Sequence, residues 1–330
     1  MNSYERLMNY LEKNPVDKIP NLCILMGFAA KYANVCYRDF CLVPEKMVEA
    51  NIKCHEDFGI DIVTVMSDPY GEAMDYGLSV FFPENSNPKA QNTFWTETPS
   101  AKDLPLLAVC DTVRMKSRVK TIELYAQRLK YTCPIAGWVE GSVAEYCNLR
   151  GINEAMIDFA DGADFLDEIL DKITEQSIVY IKEQIEAGAD IIGVGDAACS
   201  LLGPALYKKY ALPHEKRLID AIHEYGALSK LHICGNTQPI LSDISTLNSD
   251  IVDIDWMVNL RTAADLLGAD TFVCGNFDPV SVLLQSSPKE ITAAVYECLY
   301  EGGKRCIISA GCETPPNTPH ENLLAVSKAL

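Results

Sequence analysis

The chain has 330 residues, 48% of them hydrophobic, so it can bury a large core and lacks the composition of a disordered protein. Its 46 acidic and 28 basic residues give a formal net charge of −18, which repels phosphate backbones and argues against nucleic-acid partners. The sequence has no run of about 18 apolar residues and no basic amphipathic helix, so we expect no membrane association. The polar start, residues 1–6, lacks the apolar core of a secretory signal, and we therefore expect a cytoplasmic protein.

Thirteen cysteines make an odd count, and a cytoplasmic compartment would keep them reduced. We therefore expect no disulfide framework, and we interpret the cysteines outside any motif as small, buried apolar residues. These residues are Cys23, Cys54, Cys110, Cys133, Cys147 and Cys298.

Short apolar runs alternate with longer amphipathic stretches along the chain. The predicted strands span residues 20–26, 61–66, 133–139, 190–194, 228–233, 251–255, 271–274 and 306–310. The predicted helices span residues 45–58, 103–129, 165–187, 204–225, 237–247, 262–267, 288–301 and 320–330. Residues 71–102 contain several prolines and asparagines and look irregular, which indicates a loop or a lid.

Eight continuously apolar strands with helical crossovers are typical of a parallel sheet that is covered on both faces. We therefore predict an α/β fold, a (β/α)8 TIM barrel, in one domain over residues 1–330 with an N-terminal helical extension. The alternative is an open, doubly wound sheet. In a barrel of this kind functional residues gather at the carboxyl ends of the strands, so those positions are the first to search.

His232 and Cys234 lie two residues apart at the end of a predicted strand, so both side chains face the same side. Cys312 follows a different strand and comes directly after Gly311. Two thiolates and one imidazole suit zinc, and three protein ligands leave a fourth position open, as in catalytic zinc sites. The alternative is a buried core histidine beside inert cysteines.

Three further segments carry a family resemblance: residues 231–236 (LHICGN), 275–279 (GNFDP) and 309–315 (SAGCETP). They resemble the uroporphyrinogen decarboxylase superfamily and, more narrowly, its zinc-dependent corrinoid-protein methyltransferases. The resemblance covers nearly the whole chain and implies a TIM barrel. It also implies that His232, Cys234 and Cys312 hold zinc, which activates a thiol such as coenzyme M. The thiol would accept a methyl group from a methylcorrinoid that a partner corrinoid-binding protein carries.

Polar residues at the other strand ends are candidates for the same site, although each could instead cap a helix or brace a loop. Asp68 matches the position of the catalytic aspartate in the decarboxylases that this chain resembles. Asp255 could occupy the fourth zinc position when no substrate is bound, or it could hydrogen-bond a ligand. The catalytic candidates are Asp68, Glu140 and Asp255, and the candidates for the cofactor pocket are Asp196, Asn236 and Asn276.

Three alternatives remain open at this point. The first is a uroporphyrinogen decarboxylase, which the absence of arginine from residues 25–30 disfavours because porphyrinogen carboxylates need cationic partners. The second keeps the zinc but replaces coenzyme M by homocysteine or tetrahydrofolate as the methyl acceptor. The third is non-enzymatic, either a binding partner of a corrinoid protein or a redox-labile zinc-storage protein. The open coordination position argues against storage, which would require a closed set of four ligands.

Overall fold

The apolar runs of the sequence form a parallel sheet in the computed structural model, which describes all residues 1–330. Seven strands follow one another in chain order, without the reversal that a doubly wound sheet requires. They are β1 (Val63–Thr64), β4 (Ile135–Glu140), β5 (Ile191–Gly195), β6 (Leu228–His232), β7 (Ile251–Asp253), β8 (Phe272–Cys274) and β9 (Cys306–Ile307). Two further strands, β2 (Val80–Phe81) and β3 (Lys89–Ala90), form a separate antiparallel pair.

Helices connect the strands and cover the sheet. The α-helices are α1 (Ser3–Leu11), α2 (Met26–Tyr32), α3 (Tyr37–Leu42), α4 (Pro44–Phe58), α5 (Gly71–Asp75), α6 (Arg114–Leu129), α7 (Ser142–Arg150), α8 (Ile152–Asp161), α9 (Leu166–Glu186), α10 (Gly203–Leu206), α11 (Leu212–Glu224), α12 (Leu241–Ile244), α13 (Leu260–Leu266), α14 (Pro288–Gly302) and α15 (His320–Lys328). No helix is both long and apolar enough to cross a lipid bilayer.

Residues 20–26, predicted as the first strand, do not form a regular strand in the structure. Only Asn21 forms a bridge, with Ile308, and α2 already begins at Met26. Pro20 has no N–H to donate, and the side chain of Asn21 accepts a hydrogen bond from the backbone N–H of Cys23, so a regular ladder does not extend. The structure therefore has a curled parallel sheet of seven regular strands where eight were predicted.

The same short segment nevertheless hydrogen-bonds to backbone on two sides. Leu22 N donates to Ile308 O at 2.8 Å, and Asp61 N donates to Asn21 O at 2.8 Å. Ile308 directly follows β9, and Asp61 lies just before β1. The segment thus lies between the chain near the first strand of the sheet and the chain after the last.

Helix α1, the predicted N-terminal extension, packs against the amino ends of the strands. Its Leu7 and Tyr10 belong to a buried apolar cluster with Ile191 and Ile251, which begin β5 and β7. The Tyr10 hydroxyl donates to Cys306 O at 2.7 Å. The helix therefore covers the end of the sheet opposite the carboxyl ends where functional residues are expected.

Several helix predictions are confirmed, because the signals at their ends are strong. Helix α4 has Pro44 in its first turn, where no N–H partner is needed, and ends before Gly59, which has a left-handed φ of 64°. Helices α9 and α14 also agree with the prediction within one or two residues. The predicted helix over 204–225 is instead interrupted by a π-helical turn at Tyr207–Ala211, just before Pro213.

Other helical segments were not predicted. Helix α7 is buried on nearly every side, so its sequence shows no amphipathic pattern that could reveal it. Residues 71–102 contain α5 and the β2–β3 pair and are therefore not wholly irregular. The predicted helix over 103–129 is shorter, because the first residues form two 3-10 turns around Pro105 and α6 begins only at Arg114.

Five of the six cysteines without a motif are buried, as predicted. The expectation is wrong for Cys110, which is exposed in the 3-10 turn before α6. Its neighbour Asp111 is also exposed, whereas Val109 of the same turn is buried, so the turn packs one side against the core and Cys110 lies on the other.

The indole of Trp138 occupies space inside the sheet that two glycines of β5 leave free. A Cβ atom on Gly193 would lie 2.3 Å from the Trp138 ring, and one on Gly195 would lie 2.5 Å from it. The ring reaches across β5 to β6, where its centroid lies 5.9 Å from that of His232. The absence of side chains at Gly193 and Gly195 therefore allows Trp138 of β4 to contact a predicted metal ligand.

We expect Gly193→Ala to lower the free energy of unfolding by about 1–3 kcal/mol, because the added methyl group has no room beside the indole. The measurement is denaturant unfolding in two backgrounds, wild type and Trp138→Leu. In the second background the same substitution should cost less, since the clashing ring is absent. An equal cost in both backgrounds would contradict the steric explanation.

Candidate metal centre

The structure brings His232, Cys234 and Cys312 together at the carboxyl ends of the strands. His232 is the last residue of β6, and its Nε2 lies 3.0 Å from Cys234 Sγ. The Cys234 and Cys312 sulfurs are 3.6 Å apart. One donor atom from each of the three residues lies within 4.8 Å of the others, so the trio predicted from the sequence forms one cluster.

Asp253 orients the histidine of this cluster. It lies opposite His232 in the register of β6 and β7, and its Oδ2 is 2.7 Å from His232 Nδ1. Burial by itself lowers the pKa of His232, but hydrogen bonds to Asp253 and Cys312 outweigh it and raise the pKa to about 9. The contact with Nδ1 leaves Nε2 directed toward the sulfurs, as a metal-binding histidine requires.

Lys230 completes this buried group. Its ammonium pairs with the same Asp253 carboxylate, and both side chains are almost fully buried. Burial raises the pKa of Asp253, but Lys230 and His232 outweigh burial and hold the pKa far below its usual range. The carboxylate is therefore ionised and holds two cation-capable groups in one place.

The two sulfurs share protons unequally. The hydrogen bond from Cys234, together with the contact with His232, outweighs burial and lowers the pKa of Cys312 to about 4. The same contact and burial raise the pKa of Cys234. The pair thus consists of one thiolate and one thiol, and binding of a divalent metal would displace the remaining proton.

Asp255 lies beside the cluster and outside its set of donor atoms. Its Oδ2 accepts from Gly235 N at 2.6 Å, and its Oδ1 accepts from Trp256 N at 2.7 Å. Gly311 allows this approach, because a Cβ atom there would lie 2.8 Å from Asp255 Oδ1. Both carboxylate oxygens thus accept from backbone N–H groups, one on the residue after Cys234 and one on the residue after Asp255 itself.

The two asparagine candidates have their side chains bonded to nearby backbone. Asn276 Nδ2 donates to Val258 O at 2.7 Å and to Asp255 O at 3.2 Å. Asn236 is exposed, and its Oδ1 accepts from Gln238 N at 3.1 Å in a local turn. The structure therefore places Asn276 as a brace for the Asp255 loop and Asn236 on the surface after Cys234.

Asp196 follows β5, and its carboxylate is buried against α7. Its Oδ1 accepts from Ala144 N at 2.7 Å, and it forms a second buried group with Cys199 and Glu215. The backbone N of Asp196 donates to His232 O at 3.0 Å, but the Asp196 side chain forms no hydrogen bond with His232, Cys234 or Cys312. Its first function is to cap the amino end of α7.

Asp68 lies in a buried ion-pair network. Its carboxylate pairs with Arg114 and lies 3.6 Å from Arg118 Nη2. Arg118 also pairs with Glu72 at 3.3 Å. Burial raises the pKa of Asp68, but the two arginines outweigh it and hold the pKa below its usual value. Both arginine side chains are nearly inaccessible to solvent.

Glu140 connects this network to the cluster. Its backbone N donates to Glu72 Oε1 at 3.1 Å, and its own Oε1 accepts from Trp138 Nε1 at 3.0 Å. Burial and the negative charge of Glu72 raise the pKa of Glu140 well above its usual value. Since the Trp138 ring contacts His232, Glu140 lies one side chain away from the cluster.

Four residues that shape the surroundings of the candidate metal centre were not predicted from the sequence. The signal for Arg114 and Arg118 was their spacing of four residues on the same face as Ile122 and Tyr125, which the structure buries. The signal for Lys230 was its position two residues before His232 on one strand. The signal for Asp253 was its position two residues before Asp255 on one predicted strand, but its partnership with His232 depends on the register of β6 and β7.

The donor set fits zinc. One imidazole nitrogen with an oriented ring and two sulfurs match the ligands of catalytic zinc sites, and the Asp253 contact is the outer hydrogen bond that such histidines commonly make. No fourth side chain from the chain joins the three donors within the same distance, so one position is available for an exogenous ligand.

Comparisons with known proteins show which family the chain matches. The family described as Uroporphyrinogen decarboxylase (URO-D) matches residues 2–330. The chain is 28% identical over 330 residues to the Methylcobamide:CoM methyltransferase MtbA of Methanosarcina mazei, covering 97% of this chain and 94% of that protein. It is 28% identical over 295 residues to the Uroporphyrinogen decarboxylase of Carboxydothermus hydrogenoformans, covering 87% of this chain and 82% of that one.

A solved structure shares the fold. A methyltransferase from Methanosarcina mazei superposes with a TM-score of 0.90 at 22% sequence identity, covering 100% of this chain and 98% of that one. The two chains therefore have the same arrangement of sheet and helices from end to end.

We expect Arg114→Met to lower the free energy of unfolding at neutral pH by about 3–5 kcal/mol, because it leaves the Asp68 carboxylate buried without its partner. The matched control is Arg217→Met, which breaks the half-exposed pair with Asp171 and should cost less than about 1 kcal/mol. Equal costs for the two substitutions, measured by denaturant unfolding, would contradict the buried-pair interpretation.

Lowering the pH should weaken the buried ion pair between Asp68 and Arg114. Because the folded-state pKa of Asp68 is lowered, its contribution to stability is present above the unfolded value of about 3.9 and is lost as pH falls through the folded value. Asp68→Asn should therefore flatten the loss of stability below about pH 4. Unfolding curves of both proteins between pH 7 and pH 3 measure this, and parallel pH profiles would refute it.

Proposed function

This chain belongs to the uroporphyrinogen decarboxylase family, and we propose that it is a zinc-dependent methyltransferase that moves a methyl group from a methylated corrinoid to a thiol. The single observation that carries the proposal is the convergence of His232, Cys234 and Cys312 into one cluster with a fourth position available. Relatives that bear the name of methylcobamide methyltransferases over nearly the whole chain support the transferred group.

The proposed chemistry assigns a task to each side chain. His232, Cys234 and Cys312 hold zinc, which when bound lowers the pKa of an incoming thiol so that a thiolate is available at neutral pH. Asp253 keeps Nε2 of His232 directed at the site, and Asp255 holds the backbone beside Cys234. The acceptor sulfur forms a bond to the methyl carbon, and the electron pair of the broken cobalt–carbon bond stays with cobalt.

Asp68, Glu140 and Asp255 act in this proposal through position rather than by contact with the reacting atoms. Asp68 anchors Arg114 and Arg118, and Glu140 supports the indole that packs on His232. Asp196, Asn236 and Asn276 support the surrounding loops. The methyl donor would reach the cluster on a separate corrinoid-binding protein, and residues 71–102, with the β2–β3 pair, would form a lid on a single barrel domain.

A uroporphyrinogen decarboxylase is the second candidate, because relatives with that name match the chain. The family resemblance also implies that Asp68 corresponds to the catalytic aspartate of the decarboxylases. The ion pairs of the buried cations argue against a decarboxylase. Arg114 and Arg118 are already paired with Asp68 and Glu72, and Lys230 is paired with Asp253. These cations are not available to the carboxylates of a porphyrinogen.

Demethylation of methylcobalamin, followed by visible absorbance, tests the proposed function. We expect zinc-loaded protein to transfer the methyl group to a thiol and to lose this activity when a chelator removes the metal. Coenzyme M, homocysteine and tetrahydrofolate are offered separately, with uroporphyrinogen as the substrate of the rival reaction. Release of carbon dioxide from uroporphyrinogen without any demethylation would reverse the assignment.

Removal of either sulfur should remove the metal. We expect Cys234→Ala and Cys312→Ala to lose bound zinc, because two protein ligands do not retain it through dialysis. Elemental analysis measures the zinc per chain, and circular dichroism checks that the fold is kept. The matched control is Cys110→Ala, which removes an exposed cysteine and should keep one zinc. Full zinc in both site variants would rule out this ligand set.

A further inference from the structure

Asp196, Cys199 and Glu215 form a second group of metal-binding side chains, separate from the candidate metal centre. One donor atom from each residue lies within 4.8 Å of the others, and all three residues are fully buried. Asp196 directly follows β5, Cys199 lies in the 3-10 turn Ala197–Leu201, and Glu215 lies in the first turn of α11. We call these three residues the Asp–Cys–Glu group.

Each carboxylate of the Asp–Cys–Glu group uses one oxygen and leaves the other without a partner. Asp196 Oδ1 accepts from Ala144 N at 2.7 Å, and Glu215 Oε2 accepts from the Tyr207 hydroxyl at 2.5 Å. Asp196 Oδ2 and Glu215 Oε1 are buried and accept no hydrogen bond. Buried polar atoms without a partner are uncommon in folded proteins, so two of them in one group point to a ligand that binds both.

No basic side chain neutralises the Asp–Cys–Glu group. Neither Asp196 nor Glu215 forms a salt bridge, and the side chain next to Glu215, His214, bonds to Thr174 instead. Two carboxylates that are buried together without a cation lose hydration and repel each other, and burial raises the pKa of both. The group therefore needs either protons or a metal cation to remain buried.

The three donors match zinc better than other common cations. Zinc accepts cysteine sulfur together with carboxylate oxygen, whereas magnesium and calcium bind oxygen ligands. A carboxylate can bind a metal through one oxygen or both, so three residues can supply four donor atoms. The Cys199 thiol loses its proton to solvent when a metal binds. Because the group is closed to solvent, such an ion would be structural rather than reactive.

An ion held by the Asp–Cys–Glu group would join several elements around the carboxyl ends of the strands. The Asp196 side chain caps α7, and its backbone N donates to His232 O at 3.0 Å. Glu215 belongs to α11 and is bonded through Tyr207 to the π-helical turn Tyr207–Ala211. Turns of this kind within helices are frequent at functional sites.

We propose that Asp196, Cys199 and Glu215 bind a second, structural zinc ion that ties α7 and α11 to the end of β5. The proposal goes beyond methyl transfer and does not depend on it. The ion should therefore remain when the sulfurs of the candidate metal centre are removed.

The test uses the double variant Cys234→Ala/Cys312→Ala, in which the candidate metal centre offers no sulfur. The full-length variant is produced in zinc-supplemented medium, dialysed and analysed for all divalent transition metals. We expect about one zinc per chain in the double variant, counted in addition to any ion at the candidate metal centre of wild type. Production in cobalt-supplemented medium should give a sulfur-to-cobalt charge-transfer band from Cys199.

Two substitutions in the double-variant background identify the ligands. Cys199→Ala should abolish the charge-transfer band. Glu215→Gln should lose most of the ion, because the amide can still accept from Tyr207 but carries no negative charge. The matched control is Cys147→Ala, which removes another buried cysteine, on α7, outside the group and should keep the ion. Circular dichroism checks that each variant is folded.

The outcomes separate the second ion from the proposed function. A folded double variant without any bound metal would overturn the proposal and show that protons neutralise the Asp–Cys–Glu group. Zinc that survives both Cys199→Ala and Glu215→Gln would overturn it as well, since the ion would then lie elsewhere. If the double variant does not fold, the same two substitutions in wild type decide, and each should remove one ion per chain. Absence of methyl transfer by wild type would refute the proposed function and leave this zinc count unchanged.

Discussion

The hydrogen bond between Asp253 and His232 is the interaction on which the candidate site depends. It joins two neighbouring strands at one level of the sheet and directs the imidazole toward the two sulfurs. Because the same carboxylate also pairs with Lys230, it is fully ionised and cannot turn away without leaving a buried cation unpaired. The orientation of the ring is thus supported by the register of the whole β6–β7 pair.

Much of the fold and the central cluster could be predicted from the sequence. Residues two apart on a strand share a face, which placed His232 beside Cys234, and the parallel arrangement brings the ends of distant strands to the same edge, which placed Cys312 near both. Helices with clear caps, such as α4 and α14, were also predictable. In these cases the local pattern, together with the parallel order of the strands, was enough to predict the structure.

The remaining features of the fold and the site depend on contacts between distant residues, which a local sequence pattern does not reveal. Asn276 and Asp196 end strands in the sequence just as ligands do, yet their side chains bond to backbone around them, because loop ends need acceptors and donors as much as cofactors do. The buried position of Arg118 follows from the acidic groups that the fold gathers around it, above all Asp68 and Glu72. The prediction of a first strand over residues 20–26 was wrong for a similar reason, because the backbone N–H of Cys23 donates to the side chain of Asn21 instead of to a neighbouring strand.

The position of Cys312, the third proposed metal ligand, has a consequence for how the protein is made. Cys312 lies 78 residues beyond Cys234, close to the end of the chain, and follows the last strand of the sheet. A ribosome-bound chain that has produced only β1 to β8 has two of the three donors and holds a metal weakly, because affinity rises with each added ligand and with a preformed geometry. With the proposed ligand set, tight metal capture would require β9 to have joined the sheet, so a bound ion would mark a chain whose parallel sheet is complete.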